Sequence, residues 1–352
     1  MTTTRIIKLN SKAIDQKAIN EASIILEKGG LVVFPTDTVY GIAANLLNAK
    51  AIERLINIKN RPENKHFSIH IAEKNDIEKY AVDILPRAYR VVDRFWPGPL
   101  TVILKAPGNK SIGLRLPKNE IARQLLSRCD FPVVAPSANL SAHPAPNTPE
   151  EACKDLNGMV DLVLDAGPTE LGVESTVLDA RVLPFNVVRE GYLKKETVME
   201  AASSKMVLFV CTGNSCRSVM AEYILKKKLA ENKRLDVEVL SAGTMVFLSM
   251  GPTRETLRLV REEIGLDASG HRARRANQDI LKMADLILVM EKKHKYDVLR
   301  QLPEVASRLH VLGEYLGVAH DDPDIADPIG RSEEFYKMTF EKIQAAIERL
   351  EI

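Results

Sequence analysis

Apolar residues recur at helical spacing over residues 13–28 (AIDQKAINEASIILEK), and Gly29-Gly30 ends the pattern, so a helix is predicted there. LVVFPT (31–36) follows as a short buried strand. Helical patterns near 49–58, 84–94 and 118–128 then alternate with strand-like runs near 67–72, 100–104, 112–116, 132–135, 161–165 and 174–178. This alternation predicts an α/β fold. The runs keep no single spacing, which points to a mixed, twisted sheet.

The pattern weakens at 194–205 (KKETVMEAASSK), a polar, small-residue stretch that suits a linker and has room for a short helix. Beyond it MVLFV (206–210) is a buried strand by composition. It runs into CTGNSCRS (211–218) and then a helical pattern, VMAEYILKKKLAEN. Further strand-like runs lie at 237–242, 286–290 and 308–312, separated by helical patterns. Four short apolar strands with crossover helices predict a doubly wound, four-stranded parallel sheet with flanking helices. From Ser332 the chain reads as a terminal helix, with Ser332 as N-cap and Glu333 and Glu334 in its first turn. The expected domains are 1–200 and 201–352.

Length agrees with this division, because 352 residues exceed the ~250–300 at which single cores stop growing. Net charge is +2, with 26 basic against 24 acidic residues in 1–200 and 23 against 23 in the rest. Neither half carries the bulk positive field of a nucleic-acid binder. Four cysteines (Cys129, Cys153, Cys211, Cys216) are too few for a disulfide scaffold of this length. The N-terminal residues lack an apolar signal-peptide core, and no apolar run approaches the ~18 residues of a membrane span. A reducing cytoplasm and no membrane partner are therefore expected.

The segment 211–218 carries the clearest chemistry. Cys211 and Arg217, six apart between a strand and a helix, close a loop sized for one tetrahedral anion. Gly213 and Asn214 tolerate positive φ, so successive N–H groups, including those of Thr212 and Ser215, can turn inward. The following helix adds its positive end. Arg217 offers a planar fork to phosphate oxygens. This field favours a thiolate at Cys211, and the Ser218 hydroxyl can donate to that sulfur. Cys216 is either a small buried residue or a second thiol that bonds Cys211 on oxidation. Leaving-group protonation needs an acid, and the loop DDPDIADPIG (321–330) supplies candidates: Asp327 before Pro328, with Asp322 before Pro323 as rival.

Residues 206–352 resemble the low-molecular-weight phosphatase family, including its protein-arginine-phosphatase branch. The resemblance rests on CTGNSCRS, SAGT (241–244), GHRARR (270–275), LVM (288–290) and D-x-x-D-P (324–328). It implies Cys211 as nucleophile, Arg217 as phosphate clamp and Asp327 as general acid, acting on a phosphoprotein. Phosphotyrosine-specific members carry a bulky aliphatic residue where this chain has Ser215, and phosphoarginine-specific members carry threonine. Phosphotyrosine-specific members also place aromatic residues after the Asp-Pro pair, where Ile329 and Gly330 stand here. Phosphoarginine is thus favoured, with phosphotyrosine specificity or a silent phosphate-binding module as alternatives. Arsenate reductase shares the fold but needs a late cysteine pair, and no cysteine follows Cys216.

The first half holds three polar clusters: FPTDTVYG (34–41), KNRPENKHFSIHIA (59–72) and APSANLSAHPAPNTPEE (135–151). Lys59, Arg61 and Lys65 fall within seven residues, a spacing suited to a polyphosphate. SIGLRLP (111–117) puts Arg115 in an apolar strand, where it needs an anionic partner, a substrate carboxylate or a salt bridge.

Together with ESTV and VVREG, these clusters resemble the YrdC/Sua5 family of L-threonylcarbamoyladenylate synthases over roughly residues 10–200. The resemblance implies synthesis of threonylcarbamoyl-AMP from threonine, bicarbonate and ATP, with Mg²⁺ on the phosphates. The product would pass to the transferase machinery of tRNA t6A modification. Thr38, His70, Arg115, Ser175 and the Ala135 backbone would hold threonine. Arg61, Lys65, Ser111, Ser137 and Arg189 would hold ATP, with Lys59 and Asn139 completing the K-x-R and S-x-N pairs. No resident metal is implied. Direct tRNA binding stays open, and the near-neutral charge argues against an RNA-binding module.

Overall fold

The computed structural model describes residues 4–10, 13–60, 67–317 and 323–352. Arg61 and Lys65, expected on ATP, and the rival acid Asp322 lie outside the described residues. The chain divides into two compact units, Met1–Ala202 and Ser203–Ile352.

Among the described residues the first unit holds ten strands: β1 (Arg5–Lys8), β2 (Val32–Phe34), β3 (Gly41–Asn45), β4 (Ile69–His70), β5 (Leu100–Ala106), β6 (Lys110–Arg115), β7 (Val133–Val134), β8 (Leu162–Asp165), β9 (Thr176–Asp179) and β10 (Asn186–Arg189). Their order is β1-β8-β2-β3-β7-β4-β6-β5-β9-β10. The β1/β8, β2/β8, β4/β6 and β5/β9 pairs are parallel; β2/β3, β3/β7, β4/β7, β5/β6 and β9/β10 are antiparallel. The sheet is therefore mixed. Side chains of β2 alternate between two cores, Val32 and Phe34 on one face and Val33 on the other. The sheet is consequently covered on both sides.

Two local features aim side chains at the site. The helix Ala49–Lys59 is capped by Asn48, whose side chain accepts from Ala51 N at 3.1 Å, and ends at left-handed Asn60 (φ 40°). This stop leaves Lys59 on the last turn. In the β4/β6 pair His70 stands beside Arg115 in register, so both project from the same face.

The expected linker contains a helix, Lys195–Ser203, with Val198, Ala201 and Ala202 buried. Its alanines are small enough to pack while reading as a low-apolar stretch. The run at 174–178 begins as a strand only at Thr176, which leaves Glu174 and Ser175 outside the ladder. Strand β3 was not anticipated, because GIAAN lacks the β-branched and aromatic residues that mark a strand.

The second unit holds β11 (Lys205–Cys211), β12 (Val237–Gly243), β13 (Leu286–Val289) and β14 (Leu309–Val311) in the order β12-β11-β13-β14. All three pairings are parallel, as the sequence pattern requires. Val207, Phe209 and Cys211 pack into one core and Met206, Leu208 and Val210 into the other. The chain leaves β11 for β12 on one side and returns for β13 on the other. Cys211 ends the strand at this reversal, where open α/β sheets place their ligand crevices. Among the described residues no helix is long and apolar enough to cross a membrane.

Candidate active sites

In the first unit a cavity of about 580 Å³ is lined by Thr38, Lys59, His70, Ser111, Arg115, Ala135, Ser137, Ser175 and Arg189. The described residues expected to hold threonine and ATP thus converge on one space. Asn139 joins it through Lys59, whose ammonium donates to Ser137 O (3.1 Å), Asn139 O (2.7 Å) and Asn139 Oδ1 (3.0 Å). The K-x-R and S-x-N clusters, some eighty residues apart, therefore meet as one staple. Asn139 Nδ2 in turn donates to Leu140 O and His143 O, folding the loop around it.

Arg115 is buried and answered from within the chain. Its Nη2 lies 2.8 Å from Asp37 Oδ1, its Nη1 donates to Thr38 Oγ1 at 2.7 Å, and its Nε reaches Gly98 O at 3.4 Å. Asp37 Oδ1 also accepts from Lys118 N at 3.0 Å. Five N–H donors serve three acceptors here, so part of the fork stays available to the cavity. Asp37 was missed as a site residue; its place in PTDTVYG, next to Thr38, was the signal that could have found it. The pair fixes the Arg115 guanidinium on the cavity wall, beside His70. Burial, reinforced by Arg115, pushes the His70 imidazole down to about 3, so it stays neutral. A neutral ring beside a fixed cation suits a wall that receives an anion.

On β10, Arg189 donates to Glu174 Oε1 (3.0 Å), Ser175 O (2.8 Å) and Ser175 Oγ (3.3 Å). Ser175 Oγ lies 2.9 Å from Thr101 Oγ1. The turn 34–41 is fixed by Thr36 Oγ1, which donates to Val39 O (2.6 Å) and accepts from Thr38 N (3.1 Å). Tyr40 OH donates to Gly167 O at 2.6 Å, and burial pushes its phenol up to about 12. The cavity thus offers hydroxyls, backbone groups and the guanidiniums of Arg115 and Arg189 on its lining.

In the second unit Cys211–Ser218 wraps from the end of β11 into the helix Arg217–Glu231. Asn214 takes φ 54°, and its N–H points to Cys211 Sγ at 3.3 Å. Ser218 Oγ lies 3.0 Å from the same sulfur. Asn214 braces the loop: Nδ2 donates to Ser218 Oγ (3.0 Å) and Ser241 Oγ (2.8 Å), and Oδ1 accepts from Arg274 N (2.9 Å). Ser241 Oγ then donates to buried Glu222. A Cβ on Gly243 would come within 2.5 Å of Thr212 O and 3.0 Å of Asn214 N, so only glycine lets β12 end this close to the loop. Cys216 is buried, with its sulfur 3.6 Å from Thr253 Oγ1 and from Tyr336 OH.

Arg217 is almost completely buried and meets two carboxylates, Glu291 and Asp327. It also donates to Ile325 O at 2.8 Å and Thr212 Oγ1 at 3.3 Å. Asp327 is one-third exposed, and its Oδ1 accepts from Ile329 N at 3.2 Å. Burial opposes ionisation of Glu291, but Lys293 and Arg217 hold its carboxyl below the usual range. Glu291 and His294 were missed as site residues; both follow the LVM run at the end of β13. His294 Nε2 lies 2.8 Å from Thr212 Oγ1, and burial with the Arg217 charge pushes its imidazole down to about 4. Ile329 is exposed beside Asp327. Nucleophile, clamp and acid candidates therefore lie in one crevice.

The Sua5, YciO and YrdC family model, described as telomere recombination, matches residues 24–191, and that of low molecular weight phosphotyrosine protein phosphatase matches 206–351. The threonylcarbamoyl-AMP synthase of Pyrococcus abyssi is 37% identical over 194 residues, covering 53% of this chain and 57% of its own. A Methanocaldococcus jannaschii protein carrying that name provisionally is 40% identical over 172 residues, covering 47% of this chain and 81% of its own. The crystal structure of a low molecular weight protein tyrosine phosphatase from T. tengcongensis is 38% identical, with 42% of this chain and 97% of that chain covered at a TM-score of 0.39. The match spans 53–57% of the length of the first three curated synthases.

Proposed function

Because the first half of this chain belongs to the Sua5/YrdC family and its second half to the low-molecular-weight phosphatase family, we propose that it carries two activities. The first unit makes L-threonylcarbamoyl-AMP from threonine, bicarbonate and ATP, for transfer to tRNA by the t6A machinery. The second removes phosphate from protein.

The cavity wall of Arg115, Thr38 and neutral His70 supports the first reading. The free part of the Arg115 fork takes the threonine carboxylate, with Ser175 and the Ala135 backbone completing the amino-acid end. Ser111, Ser137 and Arg189 take the nucleotide, together with Arg61 and Lys65. Threonine nitrogen and bicarbonate give a carbamate with loss of water. A carbamate oxygen attacks the α-phosphorus, the bond to the β-phosphate oxygen breaks, and pyrophosphate leaves. Positioning and charge neutralisation carry this step. Mg²⁺ arrives on the triphosphate as part of the substrate. Pyrophosphate release that needs threonine, bicarbonate and ATP together tests this reading, and release independent of threonine overturns it.

The convergence of Cys211, Arg217 and Asp327 supports the second. The sulfur attacks phosphorus while the leaving group takes a proton from Asp327; water then cleaves the phosphocysteine and returns that proton. Asp327 pairs with Arg217 in this structure, and a phosphate on Arg217 would displace it and free it to act as the acid. Ser215, small and hydroxylated, and Ile329, with no aromatic ring to stack, favour phosphoarginine over phosphotyrosine. Turnover of matched phosphoarginine and phosphotyrosine peptides, with Cys211→Ser as the blank, decides. Phosphotyrosine preference would reverse the specificity, and no Cys211-dependent turnover would favour a phosphate-binding module.

A further inference from the structure

We infer that Arg274 and Arg275 form a docking edge for acidic side chains flanking the phosphorylated residue of a protein substrate. The inference rests on the phosphatase reading of the second unit.

The edge is fixed against the phosphate loop. Arg274 N donates to Asn214 Oδ1 at 2.9 Å, and His271 Nε2 donates to Asn214 O at 3.1 Å. Gly243 N donates to Arg274 O, and Ala276 N to Gly243 O, each at 2.9 Å. Gly243 also bridges Arg275 in parallel fashion. With this backbone pinned, His271 and Ala273 turn inward while Arg272, Arg274 and Arg275 face solvent. The Arg272 guanidinium is engaged by Ser269 O and His271 O, both at 2.8 Å. The Arg274 and Arg275 guanidiniums have no hydrogen-bond or ion-pair partner among the described residues.

The positive charge is local. The second unit is balanced overall, and within the three segments that frame this side of the crevice (211–218, 241–253 and 268–278) there is no aspartate or glutamate; Glu255, Asp267 and Asp279 stand just outside them, with Asp267 turned back onto Ser269. An anion arriving on this side of the phosphate loop therefore meets free guanidiniums, while the carboxylates of the crevice itself, Glu291 and Asp327, are paired with Arg217. Charge of this kind steers and orients a partner more than it holds one.

A protein fits the edge better than a nucleic acid does. Ala273 N donates to Met250 O at 2.8 Å, which ties the edge to a loop exposing Met245, Phe247, Leu248 and Met250. Two free guanidiniums beside exposed apolar side chains match an acidic and apolar peptide. A phosphodiester chain would need a longer run of cations and would leave the apolar loop unused.

The test uses the full chain and peptides carrying one phosphorylated residue, made as phosphoarginine and phosphotyrosine forms, each flanked by Glu or by Gln. The Glu-flanked peptide is expected to show about tenfold higher kcat/KM at low salt, because two exposed charge pairs act together. Added salt should shrink the difference. Arg274→Ala/Arg275→Ala should abolish it while leaving p-nitrophenyl phosphate turnover unchanged. Equal rates on the two peptides, or a preference that survives the double substitution, overturns the inference. Loss of turnover on every substrate would refute the phosphatase reading instead. Fluorescence anisotropy of the same peptides would then still show whether the edge selects Glu over Gln. Displacement of the Glu peptide by unstructured RNA at equal charge concentration would overturn the assignment to protein.

Discussion

Arg115 and Asp37 form a buried ion pair at 2.8 Å, with side chains 5% and 1% exposed. With Thr38 and Gly98 the pair engages three of the five guanidinium N–H donors and leaves two for a ligand. Asp37 therefore sets the direction in which Arg115 can bind. Asp37→Asn keeps the shape but removes the charge-assisted hydrogen bond, an interaction of about 1.5–3 kcal/mol. The KM for threonine is expected to rise by about 10- to 100-fold while that for ATP stays within a few-fold. Arg115→Ala should raise the threonine KM further, again with ATP spared. Equal losses for both substrates in steady-state kinetics would assign the pair to general stability. Asp37→Ala tests that separately, because an unpaired buried guanidinium costs about 3–5 kcal/mol.

The Lys59 ammonium reaches three acceptors on the Ser137–Asn139 turn. A flat guanidinium cannot converge on them in the same way. Lys59→Arg should therefore behave like Lys59→Ala: the KM for ATP rises about tenfold or more, and the turn becomes protease-sensitive. Rescue by arginine would mean that charge, not the staple, is what this position supplies.

Asp327 pairs with Arg217 and borders the crevice. As general acid it matters in proportion to the basicity of the leaving group. Asp327→Asn should lower kcat by about 10²–10⁴-fold on a phosphopeptide, and far less on p-nitrophenyl phosphate, whose phenolate leaves unaided. A uniform loss on both substrates would make Asp327 a partner of Arg217 only.

The second half was the more legible, for a physical reason. A phosphate loop is built from consecutive residues, so Cys211, Asn214, Arg217 and Ser218 announce themselves within one octapeptide. Strand β11 is buried on both faces and reads as a plain apolar run. The cavity of the first unit is assembled instead from single residues on β4, β6, β9, β10 and several loops. Arg115 could be seen to need an anion, but Asp37 lies 78 residues away and no local pattern links them. The Lys59–Asn139 staple was likewise visible only as two separate pairs. Glu291 and His294 follow an apolar strand and look like an ordinary charged helix start. Short strands of small residues such as β3 exist because neighbouring strands pair with them, which sequence periodicity does not record.

His294 is fully buried beside Thr212 and Arg217, and its pKa falls from 6.5 to about 4. Above pH 6.5 the ring is neutral whether the chain is folded or unfolded, so its contribution is complete. Between pH 6.5 and about 4 the unfolded chain takes up a proton that the native ring refuses. Stability should fall through that window as pH is lowered, by about 1.4 kcal/mol per unit and about 3 kcal/mol in all. His70, His271 and His310 are shifted in the same direction, so the wild-type slope is a sum. His294→Asn keeps a hydrogen-bonding partner for Thr212 and removes the titration. Calorimetric melting of the full chain at pH 7.5, 6.5, 5.5 and 4.5 (values spanning the window) should give a shallower acid loss for the variant than for wild type. Identical slopes would mean that His294 accepts a proton in the native state, and that the positive charge beside Arg217 is tolerated.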